Sequence, residues 1–145
     1  MKGFQGSGPG GQHRNKTNTG VCLKLNAYNL EIKSSESRSA QENKIHAVHR
    51  MRLALALKVR EAPKTKEQLK FPGSNGHIQR SNKDFPQFIA DVLDITKENN
   101  GDTRPAATAF GLSQSALLKI LRQEKAIIEA VQALRTEKGK CKLKF

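Results

Sequence analysis

The sequence has no tryptophan, one tyrosine, two cysteines, and half as many acidic as basic side chains among 145 residues. Each shortage removes a class of protein. Cys22 and Cys141 lie far apart with no Cys-x-x-Cys spacing, which gives no disulfide framework and fits a reducing compartment. No apolar run approaches the roughly 20 residues of a membrane-spanning helix. No signal-peptide pattern follows Met1 either, so a membrane partner is not expected and the cytoplasm is. His46 and His49 with a cysteine could form a zinc site. Both histidines, however, lie in a basic helical pattern where a polar or RNA-facing role suffices, and neither metal nor cofactor is expected. With 36% hydrophobic residues and six Phe, the core is modest, enough for one ordinary domain or two small ones.

Positive charge is what the chain has in excess. Its 26 Lys and Arg against 13 Asp and Glu give a net charge of +13, which favours a polyanionic partner. The excess is uneven. Residues 1–60 carry 11 basic and 3 acidic groups, residues 61–83 carry 5 and 2, and residues 84–137 net −2 before a tail with Lys138, Lys140, Lys142 and Lys144. The polyanion is therefore expected at the N-terminal half, the middle segment and the tail. A helical segment that grips duplex DNA should itself be basic, so DNA is not an expected partner.

Hydrophobic patterning predicts an α+β chain. Val21, Leu23 and Leu25, then Leu30 and Ile32, alternate with polar residues on either side of Asn26–Asn29, which reads as a β-hairpin. Arg38 to about Arg60 reads as a long helix capped by Ser37 or Ser39 and ended by Pro63. Its apolar faces come from Ala40, Ile45, Val48, Leu53, Leu55 and Leu57, and the three leucines are expected in the core. Residues 61–83 are rich in Pro, Gly, Asn, Ser and Lys without periodicity and read as a basic linker. Phe85, Phe88, Ile89, Val92 and Ile95 share one face of a further helix. Pro105–Phe110, Ser113–Gln123 and Ala126–Leu134 follow, with Gly111 as a turn and Ser113 as a cap. That arrangement suits a helix-turn-helix or a plain small bundle. The expected organisation is a small domain over 1–60, a linker over 61–83, a helical domain over 84–137 and a basic tail over 138–145.

The stretch "GSGPGGQHRNKTN", from Gly6 to Asn18, fits none of these elements. Its glycines formally match Gly-x-Gly-x-x-Gly, with Glu31 twenty residues beyond Gly11. A dinucleotide site needs a strand before that motif and a helix opening within it. Here five residues precede Gly6, and a polar run and a strand follow Gly11. No Gly-Lys-Ser/Thr occurs, so a phosphate-binding P-loop fails as well. What remains is a loop without side-chain bulk at Gly10 and Gly11, able to bring backbone N–H groups close to a reacting carbonyl. Gln12 is uncharged and no general base at neutral pH. Its side chain can orient a water, and its N–H can stabilise an oxyanion.

"SGPGGQHRNKTNT", Ser7 to Thr19, resembles the Gly-Gly-Gln motif of class I peptide-chain release factors and their codon-independent ribosome-rescue relatives. The resemblance continues through the hairpin to "SSESRSAQENKIHAVHRMRLALAL" and covers about residues 3–60. It implies a small sheet packed on a long helix, followed here by the linker and an all-α domain. It also implies a peptidyl-tRNA ester hydrolase acting in the peptidyl-transferase centre, with large-subunit ribosomal RNA and peptidyl-tRNA as partners. Gly10 and Gly11 would shape the catalytic loop. Gln12 would coordinate the attacking water or stabilise the leaving group, assisted by the 2′-OH of the substrate's terminal adenosine. His13, Arg14, Asn15, Lys16 and Thr17 would contact ribosomal RNA at the loop, and Arg38 and Lys44 at the helix.

Two departures stand beside this likeness. Arg14 replaces a small apolar residue of the family's loop. Gln5 and Gly6 stand where the family has an arginine after a strand, so the chain start is expected to be truncated or that sheet edge missing. A codon-recognition domain of the family's size is not expected in 145 residues, which makes stop-codon-independent release the leading reading. A non-catalytic ribosome- or RNA-binding protein that keeps the fold is the alternative.

Overall fold

The computed structural model describes residues 1–4 and 19–145 and divides them into two compact units, Met1–Ala54 and Leu55–Phe145. It bears out the α+β expectation.

In the first unit, β2 (Gly20–Leu25) and β3 (Leu30–Ser34) form the hairpin the alternation predicts, with Val21↔Ser34, Leu23↔Ile32 and Leu25↔Leu30 in register. A 3-10 turn at Asn26–Tyr28 and a left-handed Asn29 (φ 49°) reverse the chain; Asn tolerates that conformation better than most residues. On the opposite face Lys24 and Glu31 stand directly across from each other, their charged ends 2.7 Å apart. Lys24 first, and then Lys33, hold the Glu31 carboxyl at about 2, below its ordinary value of 4.5.

Of the two expectations for the chain start, a truncation or a missing sheet edge, the second is not met. β1 (Lys2–Phe4) pairs antiparallel with β2 through Lys2↔Cys22, Gly3↔Val21 and Phe4↔Gly20, giving a three-stranded meander in the order β1-β2-β3. Three residues that include a glycine have little strand propensity of their own. The ladder along β2 supplies what local preference does not.

The long helix α1 (Ala40–Lys58) starts where its serines predict. The Ser39 Oγ accepts from the Glu42 N–H at 3.3 Å, and the Ser37 Oγ accepts from the Ser39 N–H at 3.0 Å while donating to the Glu42 carboxylate. Its inward face differs from the expectation. Ile45 and Val48 are 59% and 39% exposed, whereas Asn43, Ala47 and Met51, four residues apart, are buried. Leu53, Leu55 and Leu57 are half-buried rather than core, and the buried neighbour among them is Ala56. The helix stops at Lys58, ahead of Pro63, where the Arg60 guanidinium donates to the Ala56 carbonyl and satisfies a terminal acceptor.

In the second unit, Phe85, Phe88, Ile89, Val92 and Ile95 of α2 (Phe85–Glu98) are all buried on the face their spacing predicts. After α2 come α3 (Arg104–Ala109), α4 (Gln114–Leu121) and α5 (Lys125–Glu137), which bury Ala106, Ala107, Leu117, Ile120, Leu121, Ile127, Val131 and Leu134. Gly111 takes a left-handed φ of 66° between α3 and α4, and the Ser113 Oγ caps α4 by accepting from the Ala116 N–H at 3.2 Å. The buried Asp94 carboxylate accepts from Arg60 at 2.9 Å and from the Glu61 N–H at 3.1 Å. Burial still pushes this carboxyl above its ordinary range, outweighing both partners.

The stretch that composition reads as a linker makes specific contacts within this unit. Phe71 packs edge-on against Phe88, with centroids 5.4 Å apart, and Ile78 is buried. Asn75 and Gly76, both at positive φ, turn the chain between the bridged residues Ser74 and His77. Gln123 then fastens the segment, accepting from the Arg80 N–H at 3.1 Å and donating to the Ile78 carbonyl at 2.8 Å. The tail is held as well. The Gln132 side chain exchanges two hydrogen bonds with the Leu143 backbone, at 2.8 and 3.0 Å, and Arg135 donates to the Cys141 carbonyl at 2.9 Å. Lys138, Lys142 and Lys144 are exposed along that anchored backbone.

Candidate active site

Gly10, Gly11, Gln12, His13, Arg14, Asn15, Lys16 and Thr17 lie outside the described residues. The structure defines the two ends between which they run. Phe4, the last residue of β1, is the register partner of Gly20, the first of β2, so residues 5–18 connect neighbouring antiparallel strands.

Both ends are closely fitted. Gly20 is buried, and a Cβ added there would stand 2.7 Å from the Phe4 carbonyl oxygen and 2.9 Å from two atoms of the Phe4 ring. Such distances are below van der Waals contact, so only glycine allows this approach of strand to strand. One residue earlier, the Thr19 carbonyl accepts from the Asn43 Nδ2 at 2.8 Å. The same nitrogen donates to the Ser37 carbonyl at 2.7 Å, and the Asn43 Oδ1 accepts from the Ser37 N–H at 2.9 Å. Asn43 has no exposed surface. Its carboxamide joins the start of β2 to the entry of α1.

Arg38 and Lys44, the two expected RNA contacts within the described residues, are exposed just before α1 and in its first turns. Nearby cations are otherwise engaged. Arg50 is bound to the Glu36 carboxylate, and Glu31 holds both Lys24 and Lys33. Arg38 and Lys44 have no ion-pair partner among the described residues, which leaves their charge available to phosphate oxygens.

Neither Asn43 nor Gly20 was singled out as a site residue from sequence. Asn43 carried two legible signals: Asn43-Lys44 belongs to the stretch that resembles the family's segment opening the long helix, and Asn43 stands four and eight residues before Ala47 and Met51, in register with the buried face. Gly20 carried only its position at a strand start. Among the described residues no group of three His, Cys, Asp or Glu could hold a metal ion, and no helix is long and apolar enough to cross a membrane.

Compared with known proteins, residues 1–87 match the family model described as the RF-1 domain. That span contains the Gly-Gly-Gln stretch, all three strands, α1 and the first residues of α2. No curated protein and no solved structure matches.

Proposed function

This chain belongs to the RF-1 domain family, the Gly-Gly-Gln domain of class I release factors, and from that premise we propose that it hydrolyses the ester of peptidyl-tRNA on the ribosome without reading a stop codon. Members of the family hydrolyse that ester and act on the ribosome. The observation that carries the proposal is the placing of Gly10-Gly11-Gln12 inside the matched span, between strand ends held together at Phe4↔Gly20.

In this reading the two glycines let the backbone approach the ester in the peptidyl-transferase centre. The Gln12 N–H stabilises the developing oxyanion while its carboxamide orients the attacking water. The substrate's terminal 2′-OH assists, so the protein needs no titrating base. His13 to Thr17 hold and dock the loop, while Arg38 and Lys44 meet large-subunit ribosomal RNA. The helical unit and its anchored lysines recruit the protein to stalled complexes in the cytoplasm.

The test is peptide release from ribosomes carrying labelled peptidyl-tRNA with a stop codon, a sense codon or no codon in the A site. Wild type is expected to release in codon-independent fashion. Gln12→Ala should lower turnover by roughly 10²–10³-fold, the scale for losing an oriented group at an oxyanion site, with ribosome binding retained. Release confined to stop codons would overturn codon independence, and undiminished release by Gln12→Ala would overturn the mechanism.

A second reading, RNA binding without hydrolysis, is favoured by α4. Its exposed Ser115 and Lys119, with Arg122 just beyond, form a polar face, and the helix contains no carboxylate. The acidic balance of 84–137 lies elsewhere: Asp91, Asp94, Asp102, Glu124 and Glu129 are all in ion pairs. Salt-sensitive binding to ribosomal RNA, with no release from any complex, would select this reading.

A further inference from the structure

We infer that Asn43 is a positioning residue for the Gly-Gly-Gln loop, its buried carboxamide fixing the Thr19 end of that loop to the entry of α1. The inference rests on the hydrolase reading and adds to it a residue outside the motif.

The bonding pattern is specific to a carboxamide. Asn43 faces two carbonyls, of Thr19 and Ser37, and one N–H, of Ser37, all within 2.9 Å. A side chain with two N–H donors and one acceptor meets that set completely. Aspartate keeps the acceptor and loses both donors, setting a carboxylate against two carbonyl oxygens. Leucine or alanine removes the partner of all three part-buried backbone groups.

Helix capping does not explain the arrangement. α1 is capped by the Ser39 Oγ, and the β2–β3 ladder closes through its own backbone pairs. The bond to Thr19 spans 24 residues of sequence and belongs to neither. What it fixes is the direction in which the chain arrives at β2, seven residues after Gln12. The other loop end is fixed independently by the contact of Gly20 with Phe4. A loop that must present one N–H and one side chain to a reacting carbonyl depends on both ends, because a displacement of about 1 Å can cost about 10²-fold in rate.

The experiment compares Asn43→Asp, Asn43→Ser and, as a control, Ser39→Ala, which removes the helix cap and leaves the Thr19 bond. Each full-length variant is first shown to be folded by protected amides in the paired residues Cys22–Lys33. Codon-independent release is then measured over a range of ribosome concentrations, and amide exchange at residues 19–21 is followed in the free protein. Expected for both Asn43 variants are a turnover lowered at least about tenfold with the half-saturating ribosome concentration within about twofold of wild type, the signature of a lost positioning contact. Exchange at residues 19–21 should quicken in the same variants. Ser39→Ala should lower thermal stability yet keep turnover and exchange at wild-type values.

Unchanged turnover in either folded Asn43 variant overturns the inference. So does an equal loss in Ser39→Ala. If wild type itself releases nothing, the hydrolase reading fails, and exchange at residues 19–21 decides alone: unchanged rates in the Asn43 variants would overturn the positioning role.

Discussion

Within residues 55–145, seventeen apolar side chains are buried, and edge-on ring contacts of 5.4 and 4.8 Å link Phe71, Phe88 and Phe110. Among the described residues of 1–54, only Val21, Ala47 and Met51 are buried apolar groups, and the largest side chain fully buried there is Asn43. The helical unit is held chiefly by apolar burial, the non-directional force of ordinary cores. The unit carrying the candidate loop relies on a strand ladder, a capped helix and one saturated carboxamide. Hydrogen bonds add little net stability, about 1 kcal/mol each, but they fix direction. A unit that must hold two chain ends in register gains more from directional contacts than from additional burial.

That contrast can be broken at its strongest point first. Phe88 is 2% exposed and touches rings on both sides. Phe88→Ala should cost about 3–5 kcal/mol, as the removal of a buried aromatic does. Denaturant unfolding monitored by amide exchange should show the loss in residues 55–145, with the β2–β3 amides still protected. Equal loss of protection in both units would mean that they unfold as one.

Gly20→Ala sharpens the other side. The added methyl meets a backbone oxygen, which a rotamer change does not relieve. The variant should lose about 1–3 kcal/mol, the scale for overpacking. The loss should concentrate at β1, read as faster exchange at Gly3 and Val21 with Leu23–Ile32 unchanged. An unperturbed β1–β2 ladder would show that the strand edge accommodates a side chain.

The smallest effect is electrostatic. Arg104, first through its side chain and then through its N–H, holds the Asp102 carboxyl at about 2, below its ordinary value of 3.8. A carboxyl depressed in the folded state stabilises fully above the unfolded-state value and loses that contribution as pH falls towards the folded one. The melting temperature of Asp102→Asn should therefore lie slightly below wild type at neutral pH, the gap closing between about pH 4 and pH 2. Arg104 is well exposed, so added salt should shrink the gap too. A pH-independent gap would mean that the charge contributes nothing.

These features differ in how far they could be read in advance. The hairpin and α2 were legible because their signals are local: alternation over β2 and β3, and Phe85, Phe88, Ile89, Val92 and Ile95 on one helical face. Gly10-Gly11-Gln12 stood out through its resemblance to the release-factor motif, and the RF-1 domain match over residues 1–87 agrees with that resemblance at the level of the family. The inward face of α1 was misread because its most apolar candidates, Ile45 and Val48, are exposed.

By itself, then, the sequence determined the α+β class, the β2–β3 hairpin, the capped start of α1, the apolar face of α2 and the excess of positive charge. Each is a property of residues within a few positions of one another, where backbone preference and side-chain period act directly. Tertiary structure alone decided the rest. β1 exists as a strand because β2 offers it a ladder. Residues 61–83 gain contacts because Phe88 and Gln123 stand ready to receive Phe71, Ile78 and Arg80. Asn43 is buried rather than solvated because the Thr19 carbonyl, 24 residues away in sequence, comes within 2.8 Å to accept its hydrogen. A polar group leaves water only when the fold supplies its partners, and no local pattern records where those partners will be.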